Sequence, residues 1–263
     1  MTILKTLTPI VFSVGLLTAC GGGSNNETNN SGPDNSGQPP PTDYQITVLM
    51  IGNSHTSTGN LPQLLQNTLQ SYAPDGNILV ERAVKSMFLS EHLEDDTTMA
   101  HFDERDWDYV VLQAQKYSIS RTIEYPTDAA QTFIDKTKAK GGIPILYPEW
   151  GQRNLAGEAE YIYGIHHGIA IVAPTCIAPV GFAWDNALRI QPSLSLHASD
   201  GNHANSTGAY LTSLVLFETI TAHPADLLGV LNHSSVNADT QLFLQQMATQ
   251  AIVDYPPCES LAD

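Results

Sequence analysis

The sequence predicts an α/β fold in which a parallel sheet of five strands lies between two layers of helices. Three observations predict this three-layer α/β/α arrangement. Short apolar runs alternate with amphipathic stretches along residues 43–263, which is the pattern of βαβ units. The segment 108–113 is continuously apolar at its centre, as expected for a strand that is buried on both faces. A chain of 263 residues has room for one sizeable domain, and nothing in it suggests a second.

The individual elements follow from hydrophobic periodicity. Apolar runs predict strands at residues 46–51, 78–83, 108–113, 143–147 and 170–173. Amphipathic stretches predict helices at residues 61–72, 127–140, 156–168, 180–188, 206–221 and 239–253. The first strand ends in Gly52-Asn53-Ser54, and a helix follows from about Asn60. Ser54 is therefore expected at the carboxyl edge of the sheet, where ligands bind in open α/β folds.

The charge of the chain excludes one class of partner. The formal net charge is −16, with 11 lysines and arginines against 27 acidic residues. Nucleic-acid binding requires clustered cations that neutralise phosphates, so we expect no nucleic-acid partner. The same charge disfavours electrostatic attachment to an anionic membrane.

The first residues predict a targeting segment. Lys5 supplies a positive start, residues 10–17 an apolar core, and Leu17-Thr18-Ala19-Cys20 a processing site. This tetrad resembles the bacterial lipobox, which implies removal of residues 1–19 and a lipid anchor on Cys20. Gly21 after the cysteine then suggests sorting to the outer membrane of a bacterial cell envelope. An ordinary secretory signal with an unrelated cysteine is the alternative.

The segment 20–42 and the two remaining cysteines complete the expected organisation. Residues 21–42 contain almost nothing apolar to bury, so we expect a disordered tether ahead of the domain at 43–263. Cys176 and Cys258 are an even pair once Cys20 is assigned to lipid, and an oxidising location favours a disulfide between them. Two separate thiols remain the alternative.

Ser54 and the late segment Asp200-x-x-His203 are the candidate catalytic residues. A serine hydroxyl is a poor nucleophile until a neighbouring base takes its proton. His203 is the candidate base, and Asp200, three residues earlier, would fix its tautomer and stabilise the imidazolium. Serine first and Asp-x-x-His last is the arrangement of a hydrolase. Taken separately, Ser54 could simply cap a helix, and Asp200 and His203 could form a turn before one.

These motifs resemble the SGNH (GDSL-type) hydrolase superfamily over residues 45–228. The segment 112–115, Leu-Gln-Ala-Gln, resembles the third sequence block of one branch of that superfamily. The resemblance implies a flavodoxin-like order of the five strands, no cofactor, and a serine esterase acting on short acyl esters, such as O-acetyl groups of glycans. The alternatives are a surface glycan- or ligand-binding lipoprotein of the same fold that has lost efficient catalysis, and an O-acyltransferase. The acyl chain, the alcohol part and the oligomeric state stay open.

The resemblance also implies an oxyanion hole, whose family donors are the serine N–H, a glycine N–H after the second strand and an asparagine after the third. This sequence departs from that pattern. Residues 82–89 contain no glycine, and Ser86 is the best match. Gln115 stands where the asparagine belongs, with Gln113 as the neighbouring alternative. The resemblance thus places Ser54, Ser86 and Gln115 around the oxyanion.

The remaining polar and aromatic candidates carry less specific expectations. Asn53 stands where the family has aspartate and keeps a hydrogen-bonding side chain. Asn53, His55, Gln113 and Trp150 are candidate pocket residues, although structural roles are as natural for the last three. A metal cluster of His197, Asp200 and His203 is disfavoured because no histidine pair has the helical zinc spacing. We therefore expect no metal.

Overall fold

A computed structural model describes residues 45–258 of the chain. The chain divides into two units, Met1–Pro40 and Pro41–Asp263, and all of the described residues belong to the second. The predicted signal segment, Cys20 and the tether lie outside the described residues. Within 45–258, no helix combines the length and the hydrophobicity needed to cross a membrane.

Five parallel strands form one sheet in the order β2-β1-β3-β4-β5, which confirms the flavodoxin-like prediction. The strands are β1 (Ile46–Ile51), β2 (Ile78–Arg82), β3 (Tyr109–Leu112), β4 (Ile143–Leu146) and β5 (Cys176–Ile177). The predicted strand at 170–173 is wrong, because those residues belong to the end of a helix and the segment just after it. The fifth strand is the two-residue β5, and it pairs with β4 through Ile145 and Cys176.

Eight helices accompany the sheet within the described residues. They are α1 (Leu61–Tyr72), α2 (Leu89–Leu93), α3 (Asp96–Asp103), α4 (Asp128–Ala139), α5 (Glu158–Val172), α6 (Val180–Ile190), α7 (Ser206–Thr221) and α8 (Ala238–Asp254). The six predicted helices are present with small shifts in their ends. The helices α2 and α3 were not predicted, since five and eight residues give little periodicity to detect.

The two faces of the sheet bury two separate hydrophobic clusters. Val48 and Met50 of β1 face one cluster, which contains buried residues of α1, α6, α7 and α8. Leu49 and Ile51 face the other, which contains buried residues of α4 and α5. Side chains of a strand alternate between faces, so a continuously apolar β1 serves both helical layers. The three-layer prediction is confirmed.

A disulfide closes the carboxyl end of the chain onto the edge of the sheet. Cys176 in β5 is bonded to Cys258, with the two Cα atoms 4.2 Å apart. The neighbouring backbone adds a hydrogen bond from the Ile177 N–H to the Pro257 carbonyl, at 2.7 Å. The structure thus brings together the two cysteines for which the sequence predicts a disulfide.

Candidate active site

The turn after β1 presents Ser54 at the carboxyl edge of the sheet. Ser54–Thr56 forms a short 3-10 turn, and the Asn53 side chain caps it by accepting a hydrogen bond from the His55 N–H at 2.9 Å. The Gly52 carbonyl lies 2.9 Å from Nε2 of His92, a buried residue of α2. Burial lowers the pKa of His92, which favours the neutral ring at this position.

The helix α7 fixes the position of His203 from the other side. Residues 208–220 of α7 are all buried, so the helix has little freedom to shift. Asn205 caps its first turn by accepting hydrogen bonds from the N–H groups of Thr207 and Gly208. Gly208 has no space for a side chain, because an added Cβ would lie 2.4 Å from the Leu196 carbonyl oxygen. This close packing holds the segment that carries His203.

Ser54, His203 and Asp200 form a continuous hydrogen-bonded chain. Ser54 Oγ lies 2.7 Å from Nε2 of His203, and Nδ1 of the same ring lies 2.6 Å from Oδ2 of Asp200. The second Asp200 oxygen accepts the N–H groups of Asn202 and His203, at 2.9 and 3.0 Å. Residues separated by 149 positions in the chain thus meet at hydrogen-bonding distance.

The ionisation of Asp200 suits the role predicted for it. The His203 side chain and the two backbone N–H groups hold the pKa of the Asp200 carboxyl well below its usual range. The carboxylate therefore stays charged at neutral pH, where it accepts the Nδ1–H of His203. In that tautomer Nε2 has a free lone pair directed at the Ser54 hydroxyl, as general-base catalysis requires.

His55 and Trp150 lie beside the triad, but both are buried. The His55 ring stacks on the His203 ring with centroids 5.0 Å apart, and its Nδ1 lies 3.0 Å from the Asn53 side-chain oxygen. Trp150 packs against Trp184 and donates its indole N–H to the Asn202 carbonyl, at 2.8 Å. Their contacts support the loops that carry Ser54 and His203, which favours the structural alternative for both residues.

Gln113 lies beneath the nucleophile turn. Its side-chain oxygen accepts the Asn53 N–H at 2.9 Å, and its amide nitrogen donates to Glu149. Gln113 is completely buried. The side chain is therefore used in supporting the turn, which favours the structural alternative for Gln113.

The contacts of Gln115 do not support the predicted oxyanion donor. Its amide donates to the carbonyls of Lys116 and Pro126, at 3.1 and 3.0 Å, so both of its N–H bonds hold the loop between β3 and α4. The physical reason lies in Ala114, which adopts a left-handed conformation with φ of 71° and turns the chain between the two glutamines. Gln115 thus matches the motif in residue type, but its side chain points towards its own loop.

The loop that carries Ser86 lies next to the nucleophile turn. The N–H of Met87 lies 3.4 Å from the Gly52 carbonyl, and Ser86 itself is exposed. Met87 directly follows Ser86, so this contact keeps the Ser86 loop close to Ser54. The Ser86 N–H as an oxyanion donor stays a proposal.

Sequence reasoning missed Glu149, which follows β4 and is 8% exposed. Its carboxylate accepts hydrogen bonds from the Gln113 amide and, at 3.1 Å, from the Tyr117 hydroxyl. It also lies 3.5 Å from Nδ1 of His55. Burial, followed by the charges of Glu149 and Glu158, raises the pKa of Tyr117, so this phenol stays protonated. No sequence motif indicates a role for Glu149, because its hydrogen-bond partners Gln113 and Tyr117 are distant in the sequence.

A potential cation site lies away from the triad. Among the described residues, Glu81, His101 and Glu104 place one ligand atom each within 4.8 Å of one another. His101 already lies 2.6 Å from Glu81, and its Nδ1 is buried without a hydrogen-bond partner. A hydrogen bond between the two side chains explains this contact, and none of the three residues is Ser54, His203 or Asp200.

Comparisons with known proteins give a clear result for the fold. No family model and no curated protein matches the sequence. Solved structures do match over most of the chain. The chain has the SGNH hydrolase fold. A protein from Slackia heliotrinireducens that is assigned to the SGNH hydrolases is 23% identical, with a TM-score of 0.51 over 66% of this chain and 97% of its own.

Two further solved structures extend the comparison. A DUF4886 family protein from Bacteroides uniformis aligns over 80% of this chain and 95% of its own, with 17% identity and a TM-score of 0.62. The acetylxylan esterase Axe2 from Geobacillus stearothermophilus aligns over 68% and 95%, with 13% identity and a TM-score of 0.53. At these identities the similarity concerns the SGNH fold, and the branch suggested by Leu112-Gln113-Ala114-Gln115 stays a prediction.

Proposed function

We propose that this protein is a serine-dependent carboxylic ester hydrolase that acts on short acyl esters, with O-acetyl groups of glycans as the substrate class. The single observation that carries the proposal is the hydrogen-bonded chain from Ser54 through His203 to Asp200 at the carboxyl edge of the sheet. The SGNH fold adds support, because Ser54 follows β1 at the carboxyl edge of the sheet, the edge at which open α/β sheets bind their ligands.

The reaction follows from the positions of the three side chains. Ser54 Oγ attacks the ester carbonyl carbon while its proton passes to Nε2 of His203, giving a tetrahedral oxyanion. The resulting imidazolium is stabilised by Asp200 and returns the proton to the departing alcohol oxygen as the C–O bond breaks. A water molecule then attacks the acyl-serine, again with His203 as base, and releases the carboxylic acid and the free Ser54 hydroxyl.

The oxyanion in this proposal is held by backbone N–H groups. The N–H of Ser54 is one donor, and the N–H of Ser86 is the second. The contact between Met87 and Gly52 supports this assignment because it keeps the Ser86 loop against the nucleophile turn. Since the amide of Gln115 is used within its own loop, we assign no side-chain donor to the oxyanion.

A cavity of mixed polar and apolar lining, next to the loop that carries Asp200 and His203, is a candidate site for the alcohol part of the substrate. It encloses about 610 Å³ between the segments 151–156 and 192–197. Arg153 joins it to the triad loop, since its N–H donates to the Gly201 carbonyl at 2.8 Å. The lining combines Arg153, Ser195 and His197 with leucine side chains, a mixture suited to a hydroxyl-rich ligand. Axe2 is described as an acetylxylan esterase, which supports a glycan ester as the substrate class.

The proposed location of the enzyme rests on the sequence alone. We propose that lipid on Cys20 anchors it to a bacterial cell envelope, in the outer membrane, with the tether leaving the domain free to meet its substrate. Replacing Cys20 with serine should abolish incorporation of a fatty-acid probe and release the protein or leave it unprocessed. Unchanged detergent-extractable labelling would contradict the anchor.

Hydrolysis of a chromogenic acetate ester tests the proposed activity. The parent protein should release the chromophore, and Ser54→Ala, checked for an unchanged melting temperature, should reduce kcat by 10³-fold or more, on the order of the losses known for triad nucleophiles. A folded parent without activity on acetate esters would favour the binding-protein alternative. Transfer of the acetyl group to an added sugar in place of water would favour the O-acyltransferase.

A further inference from the structure

A buried carboxylate connects the two halves of the proposed catalytic pair. Glu149 touches Gln113, which supports the backbone before Ser54, and it also lies near His55, which stacks against His203. An acidic side chain that is 8% exposed, and that contacts none of the triad residues, needs a reason to be there. Its partners indicate that reason.

The orientation of the Gln113 amide depends on Glu149. A glutamine amide presents an acceptor on one side and a donor on the other, and either can face a given neighbour. The Glu149 carboxylate only accepts, so it selects the amide nitrogen of Gln113. The oxygen of the same amide must then face the N–H of Asn53, as it does at 2.9 Å. If the amide were flipped, its NH2 group would face the N–H of Asn53, donor against donor. Its oxygen would face the Glu149 carboxylate, acceptor against acceptor.

The nucleophile turn is built closely around this amide. An added Cβ at Gly52 would lie 2.5 Å from the Gln113 side-chain oxygen, so the glycine leaves room for that oxygen to reach Asn53. The peptide of Asn53 leads directly into Ser54. The hydrogen bond from Asn53 to Gln113 therefore fixes the direction in which Ser54 leaves the strand.

The second contact of Glu149 acts on the base. Nδ1 of His55 lies 3.0 Å from the Asn53 side-chain oxygen and 3.5 Å from the Glu149 carboxylate. Both neighbours are acceptors, so they favour a proton on Nδ1 and hold the ring in one orientation. That ring is stacked against the His203 ring at an interplanar angle of 21°. Fixing the plane of His55 thus supports the plane of His203.

We propose that Glu149 is a positioning residue for the Ser54–His203 pair, acting through Gln113 on the nucleophile turn and through His55 on the base. This inference rests on the proposed esterase function. It assigns to Glu149 no contact with substrate and no proton transfer.

The first test compares Glu149→Leu with Glu158→Gln as a matched control. Glu158 is another buried carboxylate, with its oxygen 3.4 Å from the same Tyr117 hydroxyl, but no hydrogen bond joins it to Gln113 or His55. Glu149→Leu should lower kcat on an acetate ester by roughly 10–100-fold with KM within threefold, because a misplaced nucleophile affects the chemical step. Glu158→Gln should keep kcat within threefold.

An exchange of the two side chains separates positioning from simple folding. Gln113→Glu alone places two carboxylates together and should be the most damaged variant. Combining it with Glu149→Gln restores one donor and one acceptor, and the new carboxylate can still accept the Asn53 N–H. The double variant should recover kcat to within about fivefold of the parent, a clear departure from additivity. Strictly additive losses in the double variant would overturn the proposal.

Hydrogen exchange gives a readout that needs no catalysis. The Asn53 N–H should exchange faster in Glu149→Leu by at least tenfold, while amides at the centre of β3 should be unchanged. Full activity together with unchanged Asn53 protection in a folded Glu149→Leu would overturn the positioning role. An inactive parent protein in which the Asn53 effect is still present would instead reject the esterase function and leave the contact network intact.

Discussion

The buried histidine of α5 provides a prediction about stability whose size follows from the structure. His166 is 2% exposed, its Nδ1 lies 2.8 Å from the Ile162 carbonyl, and its Nε2 has no hydrogen-bond partner. Burial lowers the pKa of His166 from 6.5 to about 4, with the backbone contact opposing this in part. The folded protein therefore holds the neutral ring over a pH range in which the unfolded chain binds a proton.

The sign and the magnitude follow from this difference. Because the pKa of His166 is lower in the folded state, its contribution to stability is complete above about pH 6.5 and is lost as the pH falls towards 4. A difference of about 2.5 pKa units at about 1.36 kcal/mol each corresponds to about 3 kcal/mol. Buried histidines elsewhere, such as His92 and His197, have lowered pKa values and add to the same trend.

Urea unfolding at pH 7 and pH 4 isolates the contribution of His166. The fall in the free energy of unfolding between the two pH values should be smaller in His166→Leu than in the parent, by about 3 kcal/mol. His167→Leu is the matched control, since His167 is the exposed neighbour on the same helix and should leave the fall unchanged. Comparing differences between pH values removes any effect of leucine on packing. An equal fall in the parent and in His166→Leu would refute the reasoning.

Three further predictions concern the site and the disulfide. Asp200→Asn should lower kcat by up to about 10⁴, the loss known for a triad aspartate, in steady-state assays on an acetate ester; activity within threefold of the parent would exclude Asp200 from the triad. Gln115→Ala should keep kcat within threefold. Gln113→Ala leaves the Asn53 N–H and Glu149 without their hydrogen-bond partner, so it should lower the free energy of unfolding by about 1–3 kcal/mol in a denaturant titration. A hundredfold loss of rate in Gln115→Ala would restore it as an oxyanion donor. Reducing the Cys176–Cys258 bond should cost about 2–4 kcal/mol in calorimetry under matched conditions, and an unchanged melting temperature would show that the bond does not constrain the chain.

The sequence was a good guide wherever a signal is local. Apolar runs located four of the five strands because each buried strand is continuously hydrophobic, and helical periodicity located the long helices. The fifth strand failed for a physical reason. Residues 170–173 are as apolar as a strand, but 170–172 form the last turn of α5, where Ile171 and Val172 are exposed, and β5 has only two residues. Two residues are too few to show the alternation of apolar and polar side chains that identifies a strand.

The hydrogen-bonded arrangement of Ser54, His203 and Asp200 could be anticipated because its spacing is what the predicted chemistry requires. Asp200 and His203 must lie on one turn to share a hydrogen bond, and a serine at a strand end is the matching nucleophile. Glu149 and His92 could not be found in the same way. Their contacts with Gln113 and Gly52 span 36 and 40 residues, and only the folded chain brings them together.

The oxyanion assignment shows the limit of matching residue types. Gln115 occupies the motif position, but the direction of its side chain depends on the left-handed turn at Ala114, which costs about 1–2 kcal/mol for a residue other than glycine. Alanine gives no sequence signal for that conformation. Backbone geometry therefore directs the glutamine amide towards its own loop, and the residue type alone does not reveal this.

Covalent labelling with a fluorophosphonate tests the central claim most directly. Such a probe reacts with a serine only when a neighbouring base activates it, so it reports the working pair of Ser54 and His203 without any assumption about substrate. Mass mapping of the labelled protein should find a single adduct on Ser54, and both Ser54→Ala and His203→Ala should remain unlabelled while folded. A folded parent that takes up no label, or an adduct on another serine, would contradict the proposed catalytic triad.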